Sequence, residues 1–417
     1  MEIIADLHIH SKYSRACSKE LTIPNIAKAC ETKGIDIVGT GDFTHPAWFS
    51  EIKKELKSAG EGIYILKDDS SKTRFILTTE LSCIYKKNDK CRRVHLCVLA
   101  PSIETVEKII KELEKRNFNL KSDGRPILGI DAKDLLKLLL DIDKKIMMIP
   151  AHIWTPWFAV FGSQSGYDSL QECFEELTPE IFAVETGLSS DPPMNWRMKE
   201  LDNVVLVSNS DAHSLEKLGR EANVFEFDKI EDFSYGELRR ILKEKDKSKF
   251  LYTIEFFPEE GKYHQDGHRA CGVNLHPKES MKNKGICPVC KKPLTLGVLY
   301  RVEQLADREN MPKDKIPYKN LIPLAEIISE AVGVGPKSKA VRAEYDKLMK
   351  IGSEFYILLH ATENEIKKAT DSRVAEAVMK MRKGDLEIIP GYDGEFGKIR
   401  IFKRGEKGAK GAQRELL

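Results

Sequence analysis

No stretch of the 417 residues approaches the roughly 18 consecutive apolar positions of a membrane-crossing helix, which excludes a helical membrane protein. The opening Met1-Glu2-Ile3-Ile4-Ala5-Asp6 lacks the basic and apolar segments of a secretory leader, so a cytoplasmic location without membrane contact is expected. A charge imbalance is missing too. Lys and Arg (67) against Asp and Glu (65) leave +2, so any contact with a polyanion must come from local patches. Disulfide spacing is absent: nine cysteines in a chain of cytosolic character argue for thiols or metal ligands. There is no internal repeat. What remains, 41% apolar and 32% charged residues, is a globular composition with length for two or three domains.

The ten histidines are clustered. Six fall between His8 and His213, three between His264 and His276, and His360 stands alone, which suggests regions 1–250, 251–300 and 301–417. In the first region, apolar runs at 3–5, 36–39, 75–77, 94–99, 146–149, 181–184 and 204–207 each end near a titratable residue. Stretches such as 23–33, 103–116 and 131–140 carry apolar residues at helical spacing between them. Alternation of this kind predicts an α/β fold, a parallel barrel of seven strands, with 80–94 too short and polar to hold a helix.

The chemistry concentrates at strand ends. In Asp6-Leu7-His8-Ile9-His10 the polar residues share one strand face. One such histidine is more often a hydrogen-bonded core residue; two on one face beside an aspartate reverse those odds. Asp42, His45, Glu80, His95, His152, Asp211 and His213 follow at later strand ends, and parallel strands would open them into one bowl. Together with His8 and His10 they would supply two or three divalent ions. Mixed imidazole and carboxylate suits zinc, manganese or iron over an all-oxygen cage, although ligand type does not separate zinc, manganese and magnesium where several ions share a site. Such ions would lower the pKa of a shared water for attack on phosphorus. Asp191, which precedes Pro192-Pro193, is by position a turn former, but it could also complete a metal shell or orient the water. Asp191, Asp211 and His8 are the expected catalytic groups.

These residues resemble the PHP family (polymerase and histidinol phosphatase) over about residues 1–250, through Asp6-Leu7-His8-Ile9-His10, Glu80, Pro150-Ala151-His152 and Ser210-Asp211-Ala212-His213. The resemblance implies a distorted seven-stranded barrel holding up to three metal ions. Where that family usually has Thr-Asp-His, this chain has Gly41-Asp42-Phe43; His45 could stand in, and the choice between Asp42 and His45 stays open.

Beyond the barrel, His268-Arg269-Ala270-Cys271 followed by Cys287-Pro288-Val289-Cys290 has the spacing of a closed structural zinc site, with His264 as a competing imidazole. The remaining six cysteines lack ligand spacing. The loop after His152 carries Trp154, Trp157 and Phe158, which either join the core or stack on a base taken out of a duplex. In 332–342, glycines with Lys337 and Lys339 would suit a phosphate at a helix start, or form a plain helix-loop-helix in a mainly helical third region. The tail from Lys398 to Arg414 carries seven cations against Glu406. A solvated charge run is the plain explanation; a local footprint for DNA is the other.

The whole-chain pattern, with Pro317-Tyr318-Lys319-Asn320-Leu321 and Pro390-Gly391-Tyr392-Asp393-Gly394, resembles the endonuclease Q family of DNA repair enzymes. That resemblance implies nicking of DNA 5′ of deaminated bases (uracil, hypoxanthine, xanthine) or abasic sites, with Gly391 to Gly394, including Tyr392, at a lesion pocket. Gln413-Arg414-Glu415-Leu416-Leu417 matches the first half of a sliding-clamp motif, and a clamp contact and no clamp motif at all are both open. Two rivals compete. A small-molecule phosphatase of the histidinol-phosphate kind would use the same barrel, and a non-catalytic DNA-binding module would have lost its ligands.

Overall fold

The computed structural model describes residues 1–403; the clamp-like segment 413–417 and the basic tail from 404 onward lie outside the described residues. No helix among the described residues is long and apolar enough to cross a membrane. Two compact units are present. One comprises Met1–Glu31, Ile35–Glu255 and Gln304–Lys319; the other comprises Thr32–Gly34, Phe256–Glu303 and the chain from Asn320.

The first unit is mixed α/β around a large central sheet. Its strands are β1 (Glu2–Asp6), β2 (Ile37–Gly39), β3 (Leu56–Gly60), β4 (Ile63–Leu66), β5 (Arg74–Lys87), β6 (Lys90–Ala100), β7 (Ile127–Leu128), β8 (Met147–Pro150), β9 (Ala183–Glu185), β10 (Val205–Val207), β11 (Ala222–Glu226) and β12 (Phe250–Glu255). Each of the seven apolar runs overlaps a strand. β1 and β2 run parallel with Ala5 opposite Ile37, and β2 and β5 parallel with Val38 opposite Phe75. Ile3, Ala5, Leu7, Ile37, Ile76, Leu99, Ile149 and Val207 form one buried core, as expected for strands covered on both faces.

Strand direction departs from the expected parallel pattern. β6 runs antiparallel to both β5 and β8, with Glu80 opposite Cys97 and Leu96 opposite Pro150. Asn88 and Asp89, at φ +52° and +57°, close β5 and β6 as a two-residue hairpin, so the connection that looked too short for a helix needs none. Glu80 and His95 therefore lie within long strands rather than at their ends. β9 and β10 pair with each other in a separate two-stranded parallel sheet. The helices Ile103–Lys115 and Ala132–Ile142 begin where Ser102 and Asp131 accept bonds from Thr105 N and Lys133 N.

In the second unit a hairpin of Asp266–His268 and Val273–Leu275 precedes helices Leu324–Val332, Lys339–Leu348, Glu354–Leu359, Glu363–Ala369 and Ser372–Lys383. The chain then forms a terminal hairpin, Glu387–Ile389 with Lys398–Arg400. Segments 256–303 and 320–403, which the sequence assigns mostly to separate regions, share this unit. They are stitched together: Gln265 N donates to Gly391 O at 3.0 Å, and Asp393 accepts from Arg269 N and Thr295 Oγ1, both at 2.6 Å.

β12 ends in the fully buried Glu255, which accepts from Thr186 Oγ1 and Ser208 Oγ at 3.1 Å and from Thr253 Oγ1 at 2.5 Å. Burial outweighs these donors and raises its pKa to about 8. The folded state then holds a proton that the unfolded chain has released above its ordinary value of 4.5, so stability should fall as pH rises from about 5 to 8. Glu255→Gln should flatten that slope and be the more stable protein at pH 8.5 by roughly 2 kcal/mol. Urea midpoints at pH 5.5 and 8.5 check this; parallel slopes for both proteins would refute it.

Candidate metal centre

The centre begins with how the chain locks the ends of β1 and β10 together. Asn223 of β11 accepts from Ser208 N (3.0 Å) and donates to Asn209 Oδ1 (2.9 Å), which in turn accepts from Leu7 N (2.9 Å). Asp6, although it shares a face with His8 and His10, binds the next loop: its two oxygens accept from Ser210 N (3.0 Å) and Gly219 N (2.9 Å). Asp211 is thereby brought up to the two imidazoles.

Glu80 is the hub. It is fully buried, with His8 Nε2 at 3.5 Å, His10 Nε2 at 3.2 Å and Arg125 Nη1 at 3.0 Å from Oε2. Its other oxygen lies 2.7 Å from His95 Nδ1 and 3.1 Å from His152 Nε2. Asp211 Oδ1 is 3.1 Å from His10 Nε2. Two groups of ligand atoms built on Glu80 result, His8/His10/Glu80/Asp211 and Glu80/His95/His152, and a third, His8/Cys97/Glu185, adjoins them at His8; in each the atoms lie within 4.8 Å of one another. The donors fit divalent ions: His8 Nε2, His10 Nε2 and Asp211 Oδ1 are buried without hydrogen-bond partners, an arrangement that costs free energy unless a cation takes up the lone pairs.

Charge follows the same logic. Burial alone would raise Glu80, yet His95, Arg125 and His8 hold it well below the usual carboxylate range. Burial would lower His10, but Asp42, Asp211 and Glu80 drive it well above the usual imidazole value. His95 goes the other way, lowered to about 4 by burial. Asp42, His152 and Asp211 all have φ in the left-handed region (+48°, +30°, +46°), strain of the kind that collects at functional sites.

Two carboxylates sit behind the imidazoles. Glu185 Oε2 is 2.9 Å from His8 Nδ1, and Asp42 Oδ1 is 3.0 Å from His10 Nδ1. The second oxygen of Asp42 accepts from Ser11 N and Ser11 Oγ (2.7 Å each) and Ser14 Oγ (2.8 Å). Each carboxylate engages Nδ1 and so orients the ring with Nε2 toward the cage. Gly124 N donates to Tyr13 O at 3.1 Å, and a Cβ at position 124 would lie 2.2 Å from Asp42 Oδ2.

Other expected residues fall elsewhere. His45 caps the helix Pro46–Glu55, accepting from Trp48 N, and stacks on Tyr13 at 4.4 Å. Asp42 thus faces the cage through His10, and His45 stands outside all three ligand groups. Asp191 accepts from Met194 N at 3.0 Å, the turn-forming role, and is in none of them. His213 lies beside His10, ring centroids 4.7 Å apart, with Nδ1 2.8 Å from Asp211 O. Trp154 is core, fully buried with Nε1 donating to Asn195 Oδ1 at 2.8 Å, whereas Trp157 is 46% exposed and Phe158 packs on His95 at 4.6 Å.

In the second unit, His268, Cys271, Cys287 and Cys290 bring four ligand atoms within 4.8 Å, while His264 is outside that group and lowered to about 4 by burial. Gly267 has no side chain because the Tyr392 ring occupies its place: a Cβ there would meet Cδ2 at 2.2 Å. Lys337 and Lys339 are exposed at the start of Lys339–Leu348, where Ser338 caps Val341 N.

Relatives place this arrangement in context. The chain is 33% identical to the lesion-specific endonuclease PfuEndoQ from Pyrococcus furiosus, with 96% of this chain and 95% of that one covered at a TM-score of 0.85. The chain belongs to the endonuclease Q family. A second endonuclease Q structure, a complex with a 27-mer duplex carrying an abasic lesion at the active site, matches at 33% identity, TM-score 0.82 and 97% of both chains. Sequence relatives include the uncharacterized YqxK of Bacillus subtilis (30% identity, 96% of this chain, 99% of that protein) and the uncharacterized MJ0043 of Methanocaldococcus jannaschii (36% identity). The latter match takes in 70% of this chain and 39% of MJ0043. The family described as MJ0043 C-terminal domain matches residues 323–385.

For this endonuclease Q family member, sequence reasoning missed Arg125, Ser11 and Ser14, and it placed Glu185 at a strand end without giving it a role. Glu185 had the same signal as the rest, a carboxylate closing an apolar strand; Arg125 and the serines sit in loops with no periodic signature. Glu185→Gln and Asp42→Asn should each weaken divalent-ion binding about 10- to 100-fold while leaving the fold intact. Competition against a chelator, alongside circular dichroism, measures it; unchanged affinity would show that the rings need no support.

Proposed function

We propose that this protein is a metal-dependent DNA repair endonuclease that hydrolyses the phosphodiester 5′ of deaminated bases (uracil, hypoxanthine, xanthine) or abasic sites. The observation that carries this reading is the buried Glu80 shared by four imidazoles and Arg125, in a chain alike to endonuclease Q structures through both of its units. Two or three divalent ions (zinc, manganese or magnesium) in the cage would supply Lewis acidity toward the phosphodiester and an ionised water. His8, His10, His95, His152, Glu80 and Asp211 hold them; His213, Asp42, His45 and Asp191 belong to the wider site.

The chain's own groups do the rest. Glu185 and Asp42, against Nδ1 of His8 and His10, turn Nε2 of each ring toward the cage. Arg125, at the rim with part of its side chain exposed, offsets the carboxylates so that an anionic strand can approach. Trp157, Phe158, Tyr392, Lys337 and Lys339 remain proposed contacts to DNA or to a displaced base; Trp154 supports the loop from within the core. We further propose that the first unit is a PHP-type barrel and that His268, Cys271, Cys287 and Cys290 hold one structural zinc. Work in the cytoplasm and a sliding-clamp contact through the tail complete the reading. A small-molecule phosphatase is not favoured, because the likeness to endonuclease Q extends over 96% of the chain, well past the cage.

Incubating the protein with a duplex containing one deoxyuridine, and separately with phosphomonoesters, tests the reading. A nick 5′ of the uracil is expected; hydrolysis of monoesters alone would overturn it. Glu80→Gln should cut the nicking rate roughly a thousandfold, the scale of several kcal/mol of charge stabilisation. Cys287→Ser should reduce bound zinc by one ion per chain and lower the melting temperature without removing the cage metals; elemental analysis and calorimetry would show otherwise if the quartet is empty of role.

A further inference from the structure

β6 carries His95, and two residues earlier on the same strand face stands Arg93. The Arg93 guanidinium carbon lies 4.9 Å from the centroid of the Trp157 ring and 5.8 Å from that of Phe158. Phe158 packs on His95, and its carbonyl accepts from His95 N at 3.0 Å. A line of cation, indole, phenyl and cage imidazole thus runs from the metal centre to the surface, all within the first unit.

Core packing does not account for this line. Trp157 is 46% exposed, while the neighbouring Trp154 and Phe161 are fully buried and already supply the loop's hydrophobic anchor. Phe158 has φ +64°, a conformation that costs a side chain free energy, and the loop is braced to keep it: Gln164 N donates to Pro156 O (3.0 Å), Phe161 N to Ile153 O (2.9 Å) and Thr155 Oγ1 to Trp157 O (2.9 Å). Arg93 Nε is buried without a hydrogen-bond partner. A planar guanidinium laid on an aromatic face keeps its fork available to a phosphate, and an exposed indole stacks on any base.

We propose that Arg93 and Trp157 form a clamp for the DNA strand beside the cage, Arg93 pairing with a phosphate next to the scissile one and Trp157 stacking on an unpaired base adjacent to the lesion. The clamp rests on the endonuclease reading and adds a specificity determinant to it.

The test uses the full metal-loaded chain and a duplex with one abasic site flanked by 2-aminopurine, read by steady-state nicking and by fluorescence of the base analogue. Trp157→Ala should raise KM at least about tenfold with kcat nearly unchanged, and should abolish the quenching of 2-aminopurine seen with the parent. Trp157→Phe should restore most of both, and Arg93→Ala should make KM less sensitive to salt, as expected for a lost phosphate contact. Metal content equal to the parent's verifies the fold of each variant. Parental KM and quenching in Trp157→Ala would overturn the clamp. A parent that quenches through Trp157 but never nicks would keep the clamp and remove the endonuclease reading; a parent that does neither removes both.

Discussion

A single carboxylate with no access to water, Glu80, sets the terms for the first unit. A buried anion is costly unless cations or donors surround it, and here four imidazoles and one guanidinium do so from four separate segments. Sheet, hairpin and loops converge because each contributes a partner to that one side chain. The partnerless Nε2 atoms of His8 and His10 beside it are donors that a divalent ion would take up.

Support for the cage is layered. Asp6, Asn209 and Asn223 use backbone donors to hold the loops, and none of the three is in a ligand group. Asp42 and Glu185 then orient imidazoles, and the imidazoles with Glu80 and Asp211 present the donors. Scaffold and chemistry are thereby separated, so residues outside the ligand groups fix the aim of the donors.

Much of this was legible in the sequence, because hydrophobic periodicity and strand-end polarity are local. The seven strands, the helices capped by Ser102 and Asp131, and the clustering of His8, His10, Glu80, His95, His152 and Asp211 all follow from such patterns. Strand direction did not: an Asn-Asp turn between two long strands reverses β6, and that choice depends on left-handed backbone angles at two positions. The roles of Asp42, His45 and Asp6 were equally hidden, since a carboxylate behind an imidazole and one in front of it have the same spacing. Trp154 and Trp157 divide between core and surface within one loop, a distinction that tertiary packing makes and composition does not.

Gly124 has the widest reach for its size. Its backbone lies against the carboxylate that steadies His10, and the next residue, Arg125, is the counter-charge of Glu80. One short, irregular loop therefore governs both the aim of a ligand and the polarity of the hub. Exchange of a hydrogen for a methyl group there, in a loop that looks free to vary, would push on Asp42 and Ser14 together and detune the cage from outside its own ligand list.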